Sequence, residues 1–423
     1  MSNDDANAAI RLYNQGRDLY QKGKIDEAIA LYHQALALNP AYPDALSNLG
    51  LALDAQGKDD DALTDLILAE KYRPNDPITE SNIGLALYHQ KKYDDAAAAY
   101  HKSLSRKPDN PEALNGMGAV LFATGQTDDA IANYRKALAL NPVYADALNN
   151  LGAALASKEQ WDDSLAAYQQ ALKLKPNALD IRENYAGALQ HAGRTDDAIT
   201  AYREVSASNP NDPGVWLALG QILSSQGHPD DAIANFQKSL ALKPDQADVW
   251  FNVAHAYQEQ NKLVDAINAY QKGLAFDPHS AYAYCNLGVA YYAHKQAVEA
   301  LASFRKALEL QPDFPEALAG LGSALMSTHD LDGAEGAFVK WIAARPEDAG
   351  ARYSLGNALF AKGEYGPAAD RFRESIHLNS NFAQAHYNLG MALIRLKDYD
   401  AALMEFNEAH RLDPNLLPPK DNR

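Results

Sequence analysis

The chain has 423 residues, with 38 Lys or Arg against 55 Asp or Glu and a formal net charge of −17. That charge argues against nucleic acid, whose phosphates need Lys and Arg, and disfavours an anionic membrane surface. The single cysteine, Cys285, excludes an internal disulfide framework and fits a reducing compartment. No apolar run approaches the length of a membrane span, and the first twenty residues have no basic and apolar leader pattern. The expected location is therefore the cytoplasm.

One feature dominates the rest. Proline recurs every 34 residues, at Pro40, Pro74, Pro108, Pro142, Pro176, Pro210, Pro244, Pro278, Pro312, Pro346 and Pro414, with Ser380 in the one gap. A fixed period in this range marks a repeat architecture. It divides the chain into twelve units: 9–42, 43–76, 77–110, 111–144, 145–178, 179–212, 213–246, 247–280, 281–314, 315–348, 349–382 and 383–416. A polar extension, 1–8, precedes them and a Pro-rich tail, 417–423, follows. A globular chain of this length would split into two or three domains, but a solenoid need not, because each repeat touches only its neighbours.

Repeat five shows the unit well. Leu148, Leu151 and Leu155 fall at helical spacing, and a second helical pattern runs through Trp161, Leu165, Tyr168 and Leu172. Asp162 and Asp163 sit where the second helix starts, so their carboxylates meet the positive end of its dipole. Pro176 cannot continue that helix. Gly152 recurs as Gly16, Gly50, Gly84, Gly118, Gly220, Gly288, Gly322, Gly356 and Gly390. A mid-helix glycine costs roughly 1 kcal/mol against alanine, so close approach of the paired helix is expected there, at the small Ala28, Ala62, Ala96, Ala130, Ser164 or Ala198.

Leu148-x-x-Leu151-Gly152-x-x-Leu155, then Ser164-x-x-x-Tyr168-x-x-Ala171, then Pro176, resembles the tetratricopeptide repeat. The resemblance covers residues 9–416. It implies an all-α fold, a right-handed superhelical solenoid of antiparallel helix pairs. The first helix of each pair would line a concave groove that takes a peptide or partner protein.

In chain order, repeat one carries Arg11, Gln15 and Asp18 where later repeats have Ala45, Leu49 and Ala52, which reads as a polar N-terminal cap. Repeat six is the least regular: Arg182 replaces Leu, Ala186 replaces Gly, and its second helix ends Val205-Ser206-Ala207-Ser208. It is the candidate soft point, with simple drift as the plainer reading. Repeats seven to nine place Trp216, Trp250, Tyr284, Tyr257 and Tyr291 at expected core positions. Repeat ten carries Glu335, Gly336 and Trp341 in its second helix, and Pro367 in repeat eleven falls in a first turn, where it is tolerated. In repeat twelve, Leu403, Phe406 and Leu412 are expected to lack a full cover, and His410 replaces an apolar residue. Either the chain is part of something longer or this face meets a partner, and any self-association is expected to run through it.

No phosphate loop, nucleophile elbow, HExxH or metal-spaced His set occurs, so neither catalytic residues, nor a metal site, nor a cofactor is expected. The recurring Asp-Asp pairs are better explained by helix starts than by acid catalysis.

Counting from the first residue of each repeat, the resemblance implies that sites two, five, six, nine, twelve and thirteen point into the groove. Site six is Asn in eight of twelve repeats: Asn14, Asn48, Asn82, Asn150, Asn184, Asn252, Asn286 and Asn388. Such an amide ladder can hold an extended peptide backbone without reading its sequence, or can tie adjacent repeats together; both readings stand. The ladder resembles the superhelical repeat region of the O-linked N-acetylglucosamine transferase, whose catalytic domain has no counterpart here. Site two is acidic at Asp44, Glu112, Asp146, Asp180, Asp248 and Glu316, and rings are expected at inward sites as Tyr88, Phe122, Phe251, Tyr282, Tyr292, Tyr353, Phe360 and Tyr387. His89, His191 and His255 are placed in the groove as well. Acid, ring and amide together suit a neutral or basic, partly apolar peptide. The expected function is a non-enzymatic scaffold. The alternatives are the substrate-targeting arm of a larger enzyme such as a glycosyltransferase, and a self-assembling structural protein.

Overall fold

The computed structural model describes residues 3–417, which form twenty-four α-helices and no strand. The second helix of every repeat is 14 residues long, from Ile25–Leu38 to Tyr399–Leu412. Residues 3–8 of the polar extension are helical and belong to Asn3–Gln21, where Asp4 and Asp5 favour the first turn. Of the expected tail, residues 418–423 lie outside the described ones. The chain divides into two compact units, Met1–Pro210 and Asn211–Arg423, and the division falls at the end of repeat six. Within the first unit, Arg182 and Tyr185 of repeat six line a cavity of about 250 Å³ with Leu172 and Pro176 of repeat five.

In nine of the twelve repeats a ring from the second helix lies against the first-helix glycine, nearer than the small residue expected from the sequence. A Cβ added at Gly152 would lie 2.8 Å from Tyr168 Cε1, and one at Gly356 would lie 2.5 Å from Phe372 Cε1. The same holds from Gly16 against Tyr32 to Gly390 against Phe406, with Leu66 filling the place beside Gly50. Glycine is thus required at those nine positions because an aromatic side chain packs against the first helix's backbone there. The alanines opposite, such as Ala28 and Ala130, are buried but are not what the missing side chain would strike first.

The turn between paired helices repeats a second backbone demand that the sequence reading did not single out. The fifteenth residue of every repeat has a positive φ: glycine at Gly23, Gly57, Gly125, Gly193, Gly227 and Gly363, but Lys91, Glu159, Asn261, Lys295, His329 and Lys397 in the others. The non-glycine cases each accept a left-handed conformation worth roughly 1–2 kcal/mol of strain. At the other end, the residue before each recurring proline leaves the helix. Lys175 has φ −125° and ψ 76°, and Asn379, before Ser380, behaves alike with φ −141° and ψ 93°.

Arg11, Gln15 and Asp18 are exposed, as expected of a polar cap. At the other end the expectation needs correction. Phe406 is buried, because its own repeat covers it through Gly390 and the ring of Tyr387, 5.3 Å away. Leu412 is half-buried. Leu403 is the uncovered residue: it is 57% exposed, whereas its counterpart Leu165 is 3% exposed. Trp216 and Trp250 are also only half-buried, each with a lysine over its ring face, Lys238 at 4.0 Å and Lys272 at 4.6 Å. Repeat ten stays helical through Leu331–Ala344; Glu335 serves it by accepting from Lys362 at 2.6 Å.

Two glycine-to-alanine changes should move stability in opposite directions. Gly152→Ala meets the Tyr168 ring and should cost about 1–3 kcal/mol by overpacking. Gly336→Ala, with nothing within 4 Å of the new Cβ, should gain up to about 1 kcal/mol from helix propensity. Urea midpoints check both; equal shifts for the pair would contradict the ring argument.

Candidate functional site on the first-helix face

The ladder asparagines prove to have a register. In the first unit the side-chain N–H of Asn48 donates to Tyr13 Oη at 3.1 Å, Asn82 to Ser47 Oγ at 3.0 Å, Asn150 to Asn115 Oδ1 at 3.0 Å and Asn184 to Asn149 Oδ1 at 3.1 Å. Every acceptor is 35 residues back, at site five of the preceding repeat. In the second unit Asn388 donates in the same way to Tyr353 Oη at 3.1 Å, and also to Asn357 Oδ1 at 2.7 Å. Asn14, in repeat one, is exposed.

Asn252 and Asn286 are different. The residues 35 back are Leu217 and Phe251, which cannot accept, and among the described residues neither amide has a side-chain partner. Two of the four gaps in the ladder, at Gly116 and Gly320, also have a cause. A Cβ at Gly116 would lie 2.2 Å from Tyr100 Cζ, and one at Gly320 would lie 2.4 Å from Phe304 Cε1, so the preceding repeat's ring already fills the place.

The acids of site two divide in two. Asp44 is held by both terminal nitrogens of Arg73 at 2.5 and 2.8 Å, Asp146 by Lys175 at 2.6 Å and Glu316 by Arg345 at 2.6 Å. Each partner follows the second helix of the same repeat. Glu112, Asp180 and Asp248 are exposed and have no ion pair among the described residues.

Most of the rings expected at inward sites are half-buried and packed. Tyr88 lies 5.7 Å from Tyr93, Phe360 5.2 Å from Tyr365, and Tyr353 4.8 Å from Phe382. Tyr387 covers Phe406, Phe122 joins the cluster around Leu151 and Tyr134, and Phe251 fits against Gly273. Tyr282 and Tyr292 stand apart at 66% and 40% exposed, and Val289 beside them at 39%. All three lie on helix Ala281–Ala293, which contains no charged residue. Cys285 of that helix is buried, and burial pushes its thiol up to about 12.

The histidines do three different things. His89 Nδ1 lies 3.0 Å from both oxygens of the buried Asp54. That hydrogen bond raises the His89 pKa above its ordinary 6.5, against the opposing effect of burial and with help from the charges of Asp54 and Asp59. His191 stacks on Trp161 with ring centroids 5.8 Å apart, and His255 Nδ1 lies 3.5 Å from Glu259. Among the described residues no His, Cys, Asp and Glu cluster can hold a metal.

Family profiles described as TPR repeat match residues 16–57, 84–125, 118–158, 221–261 and 254–295. Others, described as tetratricopeptide repeat, match 155–222, 281–314, 319–381 and 353–416. The chain belongs to the tetratricopeptide repeat family. No curated protein matches it. Among solved structures, the APC/C hetero-tetramer Cut9–Hcn1 is similar at 15% identity over 96% of this chain and 94% of that one, with a TM-score of 0.45. MamA is 27% identical over 38% of this chain and 94% of its own, with a TM-score of 0.38. A tetratricopeptide repeat protein from Parabacteroides merdae is 18% identical over 59% and 99%, with a TM-score of 0.43. With all three scores below 0.5, the family profiles carry the assignment.

In this tetratricopeptide repeat chain the sequence reading missed Tyr13, Ser47, Asn115 and Asn149 as acceptors. The signal was present as polar residues 35 before each ladder asparagine, but it shows only once sites five and six of successive repeats are known to face each other. Asp54 was also missed, being a lone acid at site twelve.

Two outcomes are expected here. Replacing Asn48, Asn82 and Asn150 together by Ala removes three inter-repeat bonds worth roughly 0.5–1.5 kcal/mol each. The melting temperature should fall even though alanine is the better helix former; an unchanged or higher value would contradict the inter-repeat role. The His89–Asp54 bond stabilises through a raised folded-state pKa. Its contribution is complete below the ordinary histidine value and fades as pH rises through the raised one. The stability advantage of the parent over His89→Gln should therefore shrink as pH rises above the ordinary histidine value of about 6.5, as read by urea unfolding; a pH-independent difference would contradict it.

Proposed function

We propose that the chain is a non-enzymatic scaffold that binds a partner protein through the row of first helices. The observation that carries this is the charge-free helix Ala281–Ala293, which turns Tyr282, Val289 and Tyr292 to solvent at i, i+7 and i+10. Exposed tyrosines grouped on one helix face are costly to leave in water and are typical interface anchors. Nothing in the fold of the helix needs them there, since its buried side is supplied by Ala283, Leu287, Gly288 and Ala290.

The test is Tyr282→Ala with Tyr292→Ala. Interface rings of this kind contribute about 2 kcal/mol or more when they are anchors. Recovery of partner proteins from a lysate by the immobilised chain should drop by more than about tenfold for the double variant. Helicity and melting temperature should hold, because both rings are exposed. Undiminished recovery would overturn the proposal.

A second reading, self-association, is favoured by a separate observation: Tyr399, Leu403 and Met404 are all exposed on helix Tyr399–Leu412. Leu403→Gln should then lower the sedimentation coefficient of a self-associating sample. An unchanged coefficient in such a sample would remove this reading.

A further inference from the structure

We infer that the first unit carries a small-molecule site, a cavity around Tyr32 that takes an uncharged aromatic ring compound bearing a carbonyl oxygen. The site is independent of the scaffold reading above.

The deciding atom is Tyr32 Oη. Tyr32 is fully buried with its ring against Gly16, and among the described residues its hydroxyl is the one buried phenol without a hydrogen-bond partner. A buried polar group left unpaired is costly, and few are found in native chains. Tyr270, at the same site of repeat eight, has the ordinary solution: its hydroxyl donates to Gln258 at 3.2 Å. In repeat one the place of Gln258 is taken by Tyr20, and no bond forms. Burial pushes the Tyr32 phenol up to about 12, so at neutral pH it is a donor. Asn48 lies close enough to oppose that rise, but its side-chain N–H is given to Tyr13 at 3.1 Å.

The hydroxyl has room in front of it. It lies among Tyr13, Tyr20 and Asn48, which line a cavity of about 360 Å³ together with Leu51 and Ile78. Small-molecule sites typically enclose roughly 300–1,000 Å³. The Tyr13 ring stands 6.1 Å from that of Tyr32, tilted by 39°, and Leu51 and Ile78 add aliphatic wall. Rings and aliphatic side chains together suit a planar apolar body.

Charge and unspent donors set the ligand's class. The charged residues that line the cavity are Arg17, Arg73, Asp44 and Asp76, and their formal charges cancel. Asp44 already holds Arg73 through both oxygens, and Asp76 accepts from the backbone N–H and hydroxyl of Thr79. An ionic ligand would bring a charge that nothing there is left to balance except the exposed Arg17, in a chain of net charge −17. The uncommitted polar groups are donors. Tyr13 Oη accepts from Asn48 and Ser47 Oγ accepts from Asn82, which leaves both O–H groups to donate, as that of Tyr32 is. A neutral ring with a carbonyl acceptor meets all of these conditions.

The experiment is a methyl-detected NMR titration of the full chain, read at the Ile78 methyls, with acetophenone, cumene, benzoate and benzylammonium. These share one ring and differ in the group it carries. Acetophenone should give a saturable shift and bind about tenfold tighter than cumene, the gain of one good hydrogen bond; both ions should bind more weakly than acetophenone. Tyr32→Phe should abolish that advantage by weakening acetophenone alone, and should not lower the melting temperature, because no internal bond is lost. A lower melting temperature for Tyr32→Phe would mean that the hydroxyl serves folding, and would overturn the inference. Equal affinity for acetophenone and cumene, an advantage that survives in the variant, or no saturable shift with any probe would overturn it too. Tighter binding of benzoate or benzylammonium would overturn the stated class.

Discussion

The structure depends on an aromatic ring lying directly on helix backbone. In repeat after repeat the glycine of the first helix removes one side chain, and the ring from the second helix, Tyr168 over Gly152 or Phe304 over Gly288, occupies the vacated volume. A flat ring against bare backbone makes many dispersion contacts at once and tolerates little displacement, so it fixes how far one helix slides along the other. Because every second helix has the same 14-residue length, the next first helix starts from the same place each time. That constancy brings site six of one repeat opposite site five of the repeat before. In repeats three and nine the ring reaches further, to Gly116 and Gly320 of the following repeat, and the asparagine is displaced there.

Much of this was legible in the sequence, for physical reasons. A proline every 34 residues ends helices whatever surrounds it, and helical spacing of Leu148, Leu151 and Leu155 declares a buried stripe without reference to the rest of the fold. The need for Gly152 was legible but its cause was not. Which side chain approaches a backbone depends on rotamer and tilt, and both Ser164 and Tyr168 were within reach in sequence terms. The left-handed turn residue was hidden because only half of the repeats spend a glycine on it, while Lys91, Glu159 and their counterparts carry the same conformation with an ordinary residue.

The candidate site was less legible than the fold. Pairing between Asn150 and Asn115, or between Asp146 and Lys175, is decided by which positions of separate helices are juxtaposed, and a single repeat read alone does not contain that. Listing acids at site two therefore overstates the free negative charge of this face. Listing rings at inward sites overstates its apolar exposure in the same way, since Tyr353 and Phe360 are packed while Tyr282 is open. What survives the subtraction of internally committed groups is small and local: two amides, two tyrosines, a valine and the carboxylate of Asp248 in repeats eight and nine.

The same residue type at the same repeat position thus has two employments. Where its neighbour is polar, the asparagine ties one repeat to the next; where its neighbour is Leu217 or Phe251, it has no such bond among the described residues. Hydrogen exchange of the asparagine side-chain N–H groups, resolved by NMR in the free chain, tests this division most directly. The account predicts fast exchange at Asn252 and Asn286 and slower exchange at Asn48, Asn82 and Asn150. Equal rates across the five, or protection at Asn252 and Asn286, would contradict it.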